Sequence, residues 1–132
     1  MSQKRRIVGH PARPLFGPHV PMPAGFAPLV LRLDAEGLVI ELACPDALLG
    51  RHSNSDFRLA FPEISRRHCR IVFENGAWHV YDLKSLNGIF VNGERVNESI
   101  LYTGDRLWIG CVKMRVVAGT LVRSADTVRL VV

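Results

Sequence analysis

Apolar residues after position 28 occur in short runs, many of them alternating with polar residues, and turn residues separate one run from the next. Short runs rich in β-branched and aromatic residues are typical of strands. The pattern predicts strands over Leu29–Leu33, Leu38–Leu42, Ala47–Leu49, Phe57–Ala60, His68–Glu74, Ala77–Leu83, Ile89–Val91, the stretch after Glu94, Arg106–Ile109 and Val112–Ala118. No segment keeps a helical apolar period over about eleven residues.

Turn residues between these runs indicate how the strands are connected. Asn75-Gly76 and Asn92-Gly93 are strong signals for tight hairpins, because both residues tolerate a positive φ. Asp34–Gly37 and Gly110-Cys111 supply two further turns. Short strands joined mostly by antiparallel turns predict an all-β fold, a sandwich or a barrel.

The two ends of the chain differ from its middle. Residues 1–28 are basic, rich in proline and without periodicity, so this segment is predicted to be disordered or extended. The folded domain is therefore predicted to span residues 29–118. Residues 119–132 form a C-terminal extension, in which Thr127–Val132 is predicted to be one more strand, at a sandwich edge or as an interaction segment.

The net charge of +5 is unevenly distributed. Residues 1–28 contain four basic residues and no acid, whereas the rest of the chain contains 13 basic and 12 acidic residues. The high isoelectric point is thus mainly a property of the N-terminal segment, for which a solubilising role is favoured over weak contacts with phosphates or lipid. Specific nucleic-acid binding is not expected.

Other bulk properties bear on the compartment. No window approaches 18 consecutive apolar residues, so no membrane span is predicted, and the prolines after the basic start argue against a secretory signal. Cys44, Cys69 and Cys111 are odd in number and form no C-x-x-C pair. Such cysteines fit a reducing compartment, and the expected location is cytoplasmic.

Three polar clusters lie between predicted strands. They are Gly50-Arg51-His52, Ser65-Arg66-Arg67-His68, and Ser85-Leu86-Asn87-Gly88-Ile89 followed by Val91-Asn92-Gly93. A phosphorylated hydroxyl carries close to two negative charges and three acceptor oxygens, so a site that captures it needs a guanidinium fork, a hydroxyl donor and N–H groups. Arg51, Ser65 and Arg66 supply these groups, and the amide of Asn87 can bond an extended peptide backbone.

The order of the clusters resembles the signature of the forkhead-associated (FHA) domain: Gly-Arg, then Ser-Arg-x-His, then Ser-x-Asn-Gly-x-x-x-Asn-Gly. The resemblance covers residues 29–118. It implies an antiparallel β-sandwich of about eleven strands, whose loops at one end bind phosphothreonine peptides. The implied role is a signalling adaptor downstream of a Ser/Thr kinase, with phosphothreonine proteins, the kinase or its substrates as partners.

The resemblance also implies roles for single residues. Arg51 and Ser65 correspond to the phosphate contacts, Arg66 to a neighbouring phosphate or peptide contact, and Asn87 to the residue that holds the peptide main chain. The loop-shaping positions are Gly50, His68, Gly88 and Asn92.

Three residues depart from the family pattern or bear on peptide preference. Ile89 replaces the usual threonine after Asn-Gly, and Leu86 lies where a polar residue often meets the peptide. Glu63 occupies a position that in some members reads the third residue after phosphothreonine, and an acid there would favour a basic target residue or face solvent.

Two chemical alternatives to binding lack the sequence features that they require. An acyl-transfer site built from Ser65, His68 and Asp82 lacks a nucleophile elbow, and its S-x-x-H spacing has no special geometry. A metal site of His68, Cys69 and Cys111 lacks paired ligand spacing. Neither an enzyme nor a cofactor or metal is expected.

A phosphate-independent scaffold using the same sandwich remains the alternative function. Binding of the chain's own phosphothreonine is a further hypothesis. The N-terminal segment contains no threonine, which leaves Thr120 and Thr127 as candidates for such a site.

Overall fold

The computed structural model describes residues 22–35 and 37–121, together with the backbone of residues 7–9. Its twelve described strands are β1 (Ile7–Gly9), β2 (Leu29–Leu33), β3 (Val39–Leu42), β4 (Asp46–Gly50), β5 (Phe57–Leu59), β6 (Cys69–Glu74), β7 (Ala77–Asp82), β8 (Ile89–Val91), β9 (Glu94–Val96), β10 (Glu98–Ile100), β11 (Arg106–Ile109) and β12 (Val112–Ala118). The described residues contain no helix, and hence none that is long and apolar enough to cross a membrane.

The strands form two sheets of six. The first has the order β1-β5-β4-β6-β7-β10 and the second the order β3-β2-β12-β11-β8-β9. Alternate residues of both sheets point into one shared core, because side chains along a strand alternate between its two faces. Leu31, Ile71 and Leu107 are among the fully buried members of this core. The predicted all-β sandwich is confirmed.

One strand pair departs from the antiparallel pattern. β4 and β5 run parallel, with Leu49 opposite Phe57 and Gly50 opposite Arg58. The chain reverses twice within the short loop between them, where the Asp56 N–H donates to the Leu48 carbonyl oxygen and the Asp56 carboxylate accepts from the Leu48 N–H. This loop carries Arg51, so the parallel pair places that residue at the end of the sandwich.

Most predicted strands agree with the structure to within one residue, but β1 and β10 were not predicted as separate strands. The predicted stretch after Glu94 divides at Asn97 into β9, which joins the second sheet, and β10, which joins the first. β10 is an edge strand with one large apolar residue, Ile100, so no alternating pattern marks it. Its position depends on the pairing of Glu98–Ile100 with β7.

Two parts of the segment over residues 1–28, which is predicted to be disordered or extended, are in contact with the sandwich. Ile7–Gly9 pair with β5, because an edge strand presents backbone groups that another strand can satisfy. Phe26 packs edge-on against Phe73 at 5.4 Å between ring centroids and lies 5.7 Å from Trp78. The folded domain therefore includes residues before Leu29. Residues 1–6 and 10–21, like the predicted strand Thr127–Val132, lie outside the described residues.

Thr120 belongs to the folded domain rather than to an extension. Its side chain is buried, and its hydroxyl oxygen accepts a hydrogen bond from the Trp78 backbone N–H over 2.9 Å. Its own backbone pairs with that of the loop around Leu101 and Thr103. A kinase needs its target hydroxyl exposed, so this position does not suit the self-binding hypothesis. Thr127 lies outside the described residues.

Replacing Thr120 by valine tests this buried hydrogen bond. The change keeps the side-chain shape but leaves the Trp78 N–H without an acceptor in the core, so we expect the free energy of unfolding to fall by about 1–3 kcal/mol. Thr103 is the matched control, because its hydroxyl also accepts one backbone N–H bond, from Gly119, but at an exposed position. Thr103→Val should cost less than about 0.5 kcal/mol. Equal losses in urea denaturation of the two variants would contradict the assignment.

Candidate phosphopeptide-binding site

Three loops meet at one end of the sandwich, and they carry the three polar clusters of the sequence. The backbone N–H of Arg51 donates to the Ser65 carbonyl oxygen over 2.9 Å, and that of His52 to the Arg66 carbonyl oxygen over 3.1 Å. The backbone N–H of Leu86 donates to the Ser65 hydroxyl oxygen over 3.0 Å. Clusters far apart in sequence are therefore bonded directly to one another.

The guanidinium of Arg51 is held in a fixed direction. Its Nε–H donates to the Ile64 carbonyl oxygen over 2.9 Å, while the Arg51 carbonyl oxygen accepts from Nε of Arg58 over 2.8 Å. The bond from Nε uses only one edge of the Arg51 guanidinium. The four N–H groups on its two terminal nitrogens form a planar fork of the kind that binds phosphate in bidentate fashion.

Ser65 and Asn87 lie beside this arginine on the neighbouring loops. Because the Ser65 oxygen accepts the Leu86 N–H, its hydroxyl hydrogen can be donated to a ligand. The side-chain amide of Asn87 donates to the Glu63 carbonyl oxygen over 2.7 Å. The exposed Asn87 side chain also has a second amide hydrogen and a carbonyl oxygen. These can serve as one donor and one acceptor for an extended peptide.

The buried ring of His68 joins two of the loops. Its Nδ1 accepts a hydrogen bond from the Ser65 backbone N–H over 3.1 Å, so Nε2 carries the ring hydrogen and donates it to the Gly88 carbonyl oxygen over 2.8 Å. This pair of bonds requires a neutral ring. Burial lowers the pKa of His68, and this effect outweighs the Gly88 hydrogen bond and the nearby Asp82 carboxylate, which both raise it.

Two glycines allow the close approach of these loops. A Cβ on Gly50 would lie 2.0 Å from the Arg66 carbonyl oxygen, so no other residue fits between the β4–β5 loop and the loop before β6. Gly88 has a φ of +80°, and a Cβ there would lie 2.5 Å from Nε of Arg95. The loop-shaping role of both glycines stays a prediction, and this close packing is what favours it.

Two residues that support the site were not among the predicted site residues. The Ser85 hydroxyl donates to the Asp82 carboxylate over 2.5 Å and accepts from the Gly88 N–H over 2.9 Å. The S-x-x-G spacing is the sequence signal that could have indicated this turn. Asp82 is the last residue of β7 and lies three residues before Ser85, so this supporting contact is also local in sequence.

The other predicted residues are distributed around the same rim, with one exception. Arg66 and Arg67 are exposed, and Leu86 is 82% exposed between Ser85 and Asn87. Glu63 contributes its backbone carbonyl to Asn87, while its carboxylate lies 3.6 Å from the Cys111 sulfur.

The exception among the predicted loop-shaping residues is Asn92. Its amide bonds the Asp105 carboxylate and the Arg106 N–H, so it shapes the turn at the far end of β8. Ile89, which replaces the family's threonine, is fully buried and faces the core rather than the rim.

The described residues form neither the hydrolytic arrangement of Ser65, His68 and Asp82 nor a metal site. His68 bonds the backbone N–H of Ser65, whereas the Ser65 hydroxyl bonds Leu86, so the ring is not positioned as a base for that hydroxyl. Burial and the Asp82 charge raise the pKa of the Cys69 thiol. Within residues 22–35 and 37–121, no group of three or more His, Cys, Asp or Glu side chains could hold a metal ion.

A β-sandwich with an arginine fork, a hydroxyl and an amide at one rim defines a class of anion-binding interaction domains. Residues 47–110 match the model of the FHA domain family. The chain is 38% identical over 99 residues to the oxoglutarate dehydrogenase inhibitor of Corynebacterium efficiens, covering 74% of this chain and 70% of that protein. The chain belongs to the FHA domain family.

Solved structures agree with this assignment. Mycobacterium tuberculosis EmbR in complex with a low-affinity phosphopeptide superimposes with a TM-score of 0.68 at 26% identity, over 75% of this chain and 27% of EmbR. A structure determined for phosphothreonine-dependent FHA domain interactions gives a TM-score of 0.62 at 32% identity, over 68% of this chain and 95% of that one. FHA relatives of this chain thus bind phosphopeptides.

The neutral ring of His68 makes stability depend on pH. Because its folded-state pKa lies below the ordinary value of 6.5, the unfolded chain takes up a proton that the folded protein does not as pH falls through 6.5. We expect the thermal midpoint to fall between pH 7.5 and pH 5, and to fall less in His68→Gln, which is less stable at pH 7.5. Identical pH dependence in scanning calorimetry would contradict a neutral His68, as would an NMR titration midpoint above 6.5.

Proposed function

We propose that the protein captures phosphothreonine in partner proteins through Arg51, Ser65, Arg66 and Asn87, and acts as a signalling adaptor downstream of a Ser/Thr kinase. The observation that carries the proposal is the convergence of a fixed arginine fork, a serine hydroxyl and an asparagine amide at one rim. The membership of the FHA family supports it. The partners are phosphothreonine proteins, among them the kinase or its substrates.

Each group has a defined part in binding. The terminal N–H groups of Arg51 bond two phosphate oxygens, and the Ser65 hydroxyl donates to an oxygen of the same group. Arg66 adds a second positive charge from the exposed side of its loop. Asn87 bonds the peptide backbone next to the phosphothreonine, which fixes the direction of the chain without reading its side chains.

Two residues at the rim are suited to select among peptides. The exposed Leu86 side chain offers an apolar contact next to Asn87. Glu63 is exposed on the opposite loop, where its carboxylate favours a basic residue in the target. In this proposal Leu86 and Glu63 determine which peptide residues are preferred, whereas the phosphate contacts are the same for every target.

The proposed role is binding rather than catalysis, and the proposed compartment is the cytoplasm. The three cysteines are present as thiols, one of them buried in the core, as is typical of a reducing environment. The domain proposed for this function extends from the segment that contains Phe26 to Thr120, because both residues pack into the sandwich.

Arg51→Ala should abolish most of the binding to a phosphothreonine peptide. Removing one partner of a desolvated charge pair costs about 3 kcal/mol, or roughly 100-fold in Kd. Arg51→Lys should recover only part of this loss, because an ammonium cannot form the bidentate fork. The measurement is calorimetric titration with a peptide selected from a library of phosphothreonine sequences.

Arg67→Ala is the matched control, since it removes the same charge from an exposed position next to the site. It should change Kd by less than about threefold, because exposed charge contacts contribute little. A partner that binds equally well after dephosphorylation, or equally to Arg51→Ala, would contradict the proposal and favour the phosphate-independent scaffold.

A further inference from the structure

The outer face of the second sheet carries a concentration of positive charge. Five outward positions on four of its strands carry exposed basic residues, and we call this set the basic face: Arg32, Arg95, Arg106, Lys113 and Arg115. Glu41 is the acid at an outward strand position, and it lies on the edge strand β3 opposite Val30. The face is therefore strongly asymmetric in charge.

Three of these arginines stand directly opposite one another. Arg106 pairs with Arg115 across β11 and β12, and Arg115 pairs with Arg32 across β12 and β2. Like charges at opposed positions destabilise a sheet. No ion pair to any of the three is found among the described residues, in contrast to Arg70, which is bonded to Asp46 at 2.7 Å. Stability alone therefore does not account for this row, whereas an anionic partner would.

The neighbouring row of the same face is aromatic. Trp108 lies opposite Phe90 and Lys113, with 6.1 Å between the aromatic centroids and the Lys113 ammonium 4.7 Å from the centroid of the Trp108 ring. Because Lys113 covers the indole, the ring is not a free platform for stacking bases. Arginine beside partly exposed aromatic rings is instead the composition of protein–protein interfaces.

Arg95 connects the basic face with the rim. Its backbone pairs with that of Phe90 on the face, while its guanidinium lies against Gly88, next to Asn87. The row of Arg106, Arg115 and Arg32 begins about four residues, or roughly 13 Å, from Gly88 along the direction of the strands. An extended peptide of about four or five residues spans this distance, so one ligand can reach both surfaces.

We propose that the basic face binds an acidic segment of the same partner whose phosphothreonine occupies the rim. This inference rests on the proposed function. Charge complementarity supplies the attraction, and Arg95 makes the two surfaces continuous. The ligand class is a protein segment with a phosphothreonine and, about four or more residues away, a cluster of Asp and Glu.

The test uses the full chain and synthetic peptides that share one phosphothreonine core. Each peptide carries a neutral spacer of about four residues and then a tract of about six residues, either Asp/Glu or Asn/Gln, on the N-terminal or the C-terminal side. We expect the acidic tract, on one of the two sides, to lower Kd about tenfold or more at roughly 50 mM salt. This gain should shrink at about 300 mM salt, where exposed charges are screened.

Variants test whether the basic face causes the gain in affinity for the acidic tract. The triple variant R32Q/R106Q/R115Q should lose the gain and keep the Kd of the peptide with the neutral tract, whereas R32K/R106K/R115K, which keeps the charges, should retain most of it. The single variant Arg115→Gln should reduce the gain without lowering the thermal midpoint, because it removes like-charge repulsion. Lys84→Gln, the same charge change at an exposed position off this face, should leave the gain intact.

The outcomes separate this inference from the function on which it rests. If the neutral-tract phosphopeptide binds but the acidic tract adds nothing, or the gain survives in the glutamine triple variant, the basic face does not bind acidic segments. If no phosphothreonine peptide binds, the proposed function fails instead, and so does the bipartite ligand. Tighter, face-dependent binding of phosphatidylserine vesicles or a single-stranded oligonucleotide than of the acidic peptide would overturn the choice of a protein partner.

Discussion

The candidate site depends on a single buried imidazole. The ring of His68 accepts the Ser65 N–H and donates to the Gly88 carbonyl oxygen, so it fixes the loop that carries the serine relative to the loop that carries Asn87. Both bonds need the neutral ring, and burial keeps the ring neutral by lowering its pKa. The side chains proposed to face the ligand are exposed or half-buried, whereas the group that positions them is shielded from water, which is the arrangement that preorganised binding requires.

Much of the fold could be predicted because its signals are local. The Asn-Gly turns at Asn75 and Asn92 each have the positive φ that the hairpin interpretation assumed, with values of 53° at both residues. β1 and β10 were missed because edge strands carry little apolar alternation and are fixed by their neighbours. The parallel register of β4 and β5 was missed for the same reason, since it depends on bonds between residues that are adjacent only in the fold.

The site shows the same division between local and tertiary information. The order of the three clusters indicated Arg51, Ser65 and Asn87, and the structure places them on loops that bond one another directly. The residues that hold them in place were harder to foresee. Arg58 reaches the Arg51 carbonyl oxygen only because β4 and β5 pair in parallel and bring the two residues together. Supporting contacts of this kind have no sequence spacing of their own.

The net charge of the domain does not show where its charged residues lie. Outside the N-terminal segment, basic and acidic residues nearly balance, and this balance argued against specific binding of nucleic acid. The sheet register changes that argument, because it places Arg32, Arg106 and Arg115 in one opposed row on one face. A partner senses the local potential over the area it covers rather than the net charge of the domain. A nearly neutral sandwich can therefore present a dianion site at its rim and a cationic surface that continues from it.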